Sequence, residues 1–192
     1  MDINSIRDRA QGVDDGPVTE QELEFARQLL RSGDGEVGAA LYVVGLLGAH
    51  RDATLIEPYL RSVHGELALK SLCRYLDLID RYRPVVRKYI LAESDIDFPG
   101  SRMAAIHLAP EYLRNFRDKD VEAKLLVILC DFQNRNRSAA RHALIRILGL
   151  REELEDPLGL GTDADPDASL IIAAACRDFG LERRDFVAAS PN

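Results

Sequence analysis

Gly38-Ala39-Ala40-Leu41-Tyr42-Val43-Val44-Gly45-Leu46-Leu47-Gly48 is the stretch that decides the fold. Ala39, Val43 and Leu47 stand four residues apart, which places them on one face of a helix. The same places return as Ala68, Leu72 and Leu76, as Ala105, Ala109 and Leu113, and as Ala140, Leu144 and Leu148. A small side chain at the first place lets two helix backbones approach. A large one two turns later fills the gap beside it. The alanines are 29, 37 and 35 residues apart, a period that predicts stacked helical hairpins and points to binding rather than catalysis.

The rest of the chain can be read around these four helices. Thr19-Glu20-Gln21-Glu22 has the pattern of a capping box, and the helix it opens runs through Leu30 to a stop at Gly33. Asp52 reads as the cap of a shorter helix that Pro58 should bend. The second ridge helix is expected over Glu66–Ile79, and its partner from Pro84, a favoured first helical residue. A loop over 94–100 leads to a helix over 102–116, which Pro110 should kink. Asp118 or Asp120 caps the next helix, Asn134 to Asn136 breaks it, and Gly149 ends the helix over 138–148. An acidic loop covers 151–165. A last capping helix over 166–180, with Asp165 as its cap, stops at Gly180. Residues 1–18 read as a flexible segment with one weak turn around Ile3 to Ile6. No β-branched alternation is long enough for a strand, so the expected class is all-α: one domain over 1–192 with core repeats over 19–150.

A chain of 192 residues buries roughly 70% of its extended surface on folding. Its longest apolar run, Leu170 to Cys176, is far below the ~20 residues a membrane span requires. The opening residues carry acids and no apolar h-region, so the reading is cytoplasmic with no membrane partner. Cys73, Cys130 and Cys176 are widely separated within apolar helical patterns, which reads as reduced, packed thiols. The net charge of −7 is uneven: −5 over 1–36, +4 over 37–150 and −6 over 151–192. Overall acidity argues against nucleic acid, whose binding rests on many phosphate contacts. It suits a basic protein partner, which an acidic surface attracts.

Residues 38–48, followed by Arg51-Asp52-Ala53-Thr54-Leu55-Ile56-Glu57-Pro58-Tyr59-Leu60, resemble a HEAT-like repeat of the short variety found in bilin-lyase-type proteins. The resemblance covers roughly residues 36–150, with the proline one place later than usual. It implies an α-solenoid of about four to five antiparallel helical hairpins. It also implies a non-catalytic protein-binding scaffold without cofactor, a class that includes bacterial immunity proteins neutralising a toxin. The alternative it carries is an enzyme or chaperone-like protein of the bilin lyase type, or a DNA glycosylase. The last is disfavoured by negative charge and the absence of tryptophan.

Motifs for chemistry are weak. His50, His64, His107 and His142 show no metal-ligand spacing, although His107 and His142 share an offset of two from their ridge alanines. Asp163 to Asp167 resembles the opening of a calcium loop but has Ala168 and Ala174 where glycine and glutamate are needed, so helix capping is the better reading. Gly159 to Ala164 formally fits a dinucleotide fingerprint without its preceding strand. No catalytic or metal-binding residue is assigned. The candidate partner-binding residues are Tyr82, Arg83, Arg87 and Lys88: a basic strip beside an aromatic anchor, on a second helix of the kind that lines the concave side of HEAT-like stacks. A solvated face is the plainer reading of that strip, and of the second group, Arg135, Arg137, Arg141 and Arg146.

Overall fold

The computed structural model describes residues 1–92, 100–158 and 165–186, and every regular element among them is helical. The chain divides into two compact units, residues 1–83 with 95–104 and residues 84–94 with 105–192.

The first unit begins earlier than the sequence suggests. Helix α1, Ile3–Ala10, is capped by Asp2, whose carboxylate accepts the Asn4 amide. It packs on α3, Val37–Leu47, and buries Ile3 and Ile6. The expectation of a flexible segment over 1–18 is therefore corrected for residues 3–10: two isoleucines, three apart, are enough to dock one helical face. Helix α2, Glu20–Ser32, has the expected reciprocal cap. Thr19 Oγ1 accepts the Glu22 amide, while Glu22 Oε2 accepts the Thr19 amide at 2.9 Å. It ends on Gly33 at φ +71°, a conformation that costs glycine nothing.

Helix α3 packs against α1, α2 and α5, Gly65–Lys70, and directly against the wider π turn Ser71–Tyr75 that continues α5. A Cβ built on Gly45 would lie 2.6 Å from Ser71 Oγ and 2.8 Å from Ser71 Cβ. Ser71 Oγ donates to the Leu41 carbonyl at 3.1 Å. This close approach falls at Gly45 and Ser71, beside the ridge positions rather than at the alanines where the ridge pattern expects it. Between them lie α4, Ala53–Ile56, and a 3₁₀ segment, Glu57–Arg61, where Pro58 tightens the helix rather than bending it.

Two boundaries differ from the sequence reading. The second ridge helix stops at Tyr75, and Asp77 takes φ +52°, which a short polar side chain tolerates. Helix α6, Ile79–Leu91, then begins before Pro84 and contains it. The Leu78 carbonyl accepts the amides of Arg81 and Tyr82, so the helix is nucleated upstream and Pro84 removes one interior donor.

The expected helix over 102–116 divides at Leu108 into α7, Ser101–His107, and α8, Ala109–Leu113, with Pro110 in the first turn of the latter. Asp118 caps α9, Lys119–Cys130, by accepting the Val121 amide. Helix α10, Arg137–Leu148, packs against α8, α9 and α11, Ala168–Phe179. Asp167, not Asp165, directly precedes α11. Gly149 and Gly180 end α10 and α11 in the left-handed conformation, as anticipated.

At the ridge positions, all four residues at the first place and all four at the second are buried. The third place is less regular: Leu76 and Leu113 are buried and Leu148 half-buried, while Leu47 is 42% exposed at the end of α3.

Candidate functional site

A groove of about 440 Å³ opens in the second unit, lined by Pro110, Leu113, Arg114, Arg117, Glu122, Arg146, Ile147, Asp178 and Phe179. Its position follows from the helices beneath it. Pro110 and Leu113 come from α8, Ile147 from the last turn of α10 and Phe179 from the end of α11, so three helix ends leave a concavity with an apolar floor. The short α8 stops at Leu113, which puts Arg114 and Arg117 on the following turn at the rim.

The three arginines differ in how far they are committed. Arg117 Nε donates to the almost wholly buried Glu122 carboxylate, its Nη atoms reach Asp178, and the guanidinium lies 5.1 Å from the centre of the Phe179 ring. The Glu122 bond raises the Arg117 pKa, against the opposing effect of burial. Arg146 donates to Glu111 at 3.1 Å. Arg114 is exposed and makes no hydrogen bond or ion pair among the described residues. An exposed fork of donors therefore stands beside an apolar floor, flanked by two guanidinium groups that are balanced by fixed acids. Such a site can dock an extended side chain, with directional hydrogen bonds at one end and apolar contact along the stem. No family model, curated protein or solved structure matches the chain.

The other arginine clusters serve the fold. Arg141, read as part of a solvated group, is 4% exposed. It donates to Asp165, to Asp167 at 3.0 Å and to the Asp156 carbonyl at 2.6 Å. Asp167 also accepts the amides of Glu155 and Asp156. The described parts of the acidic loop thus fold back on α10, and Asp165 and Asp167 are explained by Arg141 and Arg137. Asp163 and the fingerprint over 159–164 lie outside the described residues.

In the first unit Arg27 pairs with Asp52 through two bonds of 3.0 Å and with Glu20 at 2.7 Å. Burial works against the Asp52 anion, but Arg27 and the Ala49 amide outweigh it and hold the carboxyl below its ordinary range. Asp52 is thus a buried acceptor for Arg27 and Ala49, rather than the expected side-chain cap of α4.

Of the residues expected to bind a partner, Tyr82 is buried, and its hydroxyl donates to Glu57 at 2.6 Å. Burial, then the Glu57 bond, pushes its pKa up. The expectation of an exposed aromatic anchor is corrected: Tyr82 turns inward because α6 starts at Ile79 and carries it on the packed face. Arg87 is held by Asp118 at 3.1 Å and by Asp120. Arg83 is half-buried and Lys88 exposed. The four share α6, with the boundary between the two units falling after Arg83.

His142 shares a hydrogen bond with the Leu158 carbonyl, and His64 stands edge-on to Tyr59. Among the described residues no group of three or more His, Cys, Asp or Glu is placed to hold a metal, and no helix is long and apolar enough to cross a membrane.

Proposed function

We propose that this chain acts by binding another protein, without catalysis or cofactor, and that the groove of the second unit is the contact surface. The observation that carries this reading is Arg114: an uncommitted guanidinium beside a floor of Pro110, Leu113, Ile147 and Phe179. Arginine next to apolar side chains is a composition enriched at binding hot spots, where a desolvated anchor is surrounded by a polar rim. The helical-hairpin pattern of the sequence supports the same reading, and the α-solenoid of four to five HEAT-like hairpins is part of the proposal. Neutralisation of a toxin would be one form of such binding, and the groove does not select it over others.

The test is site-specific photo-crosslinking in cells. A benzoylphenylalanine placed at position 114 or 147 is expected to form an adduct with one protein, and the same probe at Arg61, an exposed residue of the first unit, is not. Equal labelling from all three positions, or no protein adduct from 114 and 147, would overturn the proposal.

A further inference from the structure

We infer that Tyr42 and Tyr75 form a modification site, where one-electron oxidation couples their two rings into a dityrosine within one chain. The site lies in the first unit and is separate from the groove, so either can fail without the other.

The geometry follows from the contact that holds α3 to the π turn. Gly45 has no side chain where Ser71 approaches, and a Cβ built there would also stand 3.2 Å from Tyr75 Cδ2. Tyr42 lies one turn before Gly45 on α3, and Tyr75 one turn after Ser71, so the two rings meet beside that contact. Their centroids are 6.4 Å apart and their planes are tilted by 37°. Aromatic rings in contact have centroids about 4.5–7 Å apart. Coupling joins Cε atoms, and rotating either ring about χ2 turns a Cε edge towards its neighbour without moving a helix.

The other four tyrosines of the chain stand differently. Tyr82, Tyr89 and Tyr112 are buried, and Tyr59 Oη donates to the Leu30 carbonyl at 2.7 Å. Tyr42 and Tyr75 are half-buried, and neither hydroxyl has a hydrogen-bond partner among the described residues. Solvent therefore reaches both phenols and accepts their protons. No other two tyrosines are in ring contact among the described residues, so a radical on either ring has one partner.

The co-reactant is a one-electron oxidant of the class that a haem peroxidase forms from hydrogen peroxide. Each phenol loses one electron and its Oη proton. The two radicals form one Cε–Cε bond, and the hydrogen on each joined carbon moves to the oxygen of its own ring, which restores both phenols. The chain loses two hydrogens in all, and one hydrogen peroxide is reduced to two waters. The new bond ties α3 to the π turn and closes a loop that restricts the unfolded chain.

The experiment treats the full chain, at low micromolar concentration, with a haem peroxidase and hydrogen peroxide. Dityrosine fluorescence, denaturing electrophoresis and peptide mass mapping identify the product. A monomer lighter by two hydrogens is expected, with one crosslink joining the peptides of Tyr42 and Tyr75. Tyr42→Phe and Tyr75→Phe should each abolish it, while Tyr59→Phe leaves it unchanged. Because neither hydroxyl is bonded, both variants should keep the urea midpoint of the parent, which separates loss of a phenol from loss of the fold. The crosslinked parent should unfold at higher urea than the untreated chain. Crosslinks mainly between chains, a crosslink joining other tyrosines, or full fluorescence in Tyr42→Phe would each overturn the inference. So would an unchanged mass once the peroxide is consumed, or a crosslinked chain no more resistant to urea.

Discussion

Replacing Gly45 with alanine should destabilise the chain, although the same change in an exposed helix interior would stabilise it by about 1 kcal/mol. The added Cβ would stand 2.6 Å from Ser71 Oγ and 2.8 Å from Ser71 Cβ, where carbon atoms normally keep about 3.5–4.0 Å. Rotating Ser71 moves its hydroxyl but not its Cβ, which is fixed to the neighbouring backbone. The two helices must therefore separate by roughly 1 Å, and the bond from Ser71 to the Leu41 carbonyl is stretched. Overpacking of this kind costs about 1–3 kcal/mol. Set against the propensity gain, the net loss should be about 1 kcal/mol.

Urea unfolding followed by far-ultraviolet circular dichroism measures it. Ser71→Gly removes both clashing atoms, so the double variant Gly45→Ala/Ser71→Gly should be at least about 1 kcal/mol more stable than the two single losses summed. A Gly45→Ala chain more stable than the parent, or strict additivity in the double variant, would refute the idea that small residues set the spacing of these helices.

Arg141→Met should cost about 3–5 kcal/mol in the same unfolding assay, because it leaves Asp167 buried without its guanidinium and Asp165 with Arg137 alone. Ile6→Ala, which empties a site 2% exposed, should cost about 2–5 kcal/mol and would show no effect if residues 3–10 did not pack. Arg9, then the Thr19 amide, holds the Glu22 carboxyl at about 2 against an ordinary 4.5. A folded pKa below the unfolded value gives stability that is present above about pH 4.5 and lost as the pH falls towards 2. The urea midpoint should fall across that window, and Glu22→Gln should flatten the fall. Arg114→Glu should change stability by less than about 0.5 kcal/mol, since Arg114 is exposed and makes no internal bond among the described residues.

What the sequence reveals is what local chemistry controls. The Thr19–Glu22 box and the stops at Gly33, Gly149 and Gly180 each depend on residues a few places apart, and each is found where the pattern puts it. The buried alanines at 39, 68, 105 and 140 follow from periodicity alone. Pro84 misleads because a proline good for starting a helix is also tolerated inside one that began five residues earlier. Tyr82 misleads for the same reason, since the shifted start turns its ring inward. The groove could not be read locally. Arg117 meets Asp178 across 61 residues and Arg146 meets Glu111 across 35. Nothing in the spacing of Arg135, Arg137, Arg141 and Arg146 distinguishes the buried Arg141 from the groove-lining Arg146.

The account depends most on one arginine of the groove being free while its neighbours are held. Hydrogen exchange at the arginine Nε–H groups, followed by nitrogen-15 NMR of the unliganded chain, measures this for each side chain. Arg27, Arg117 and Arg141, whose Nε protons are donated to carboxylates, should exchange slowly, and Arg114 at the rate of a free guanidinium. Protection of Arg114 equal to that of Arg117 would mean its donors are already spent inside the protein, and the groove would have nothing left with which to hold a partner.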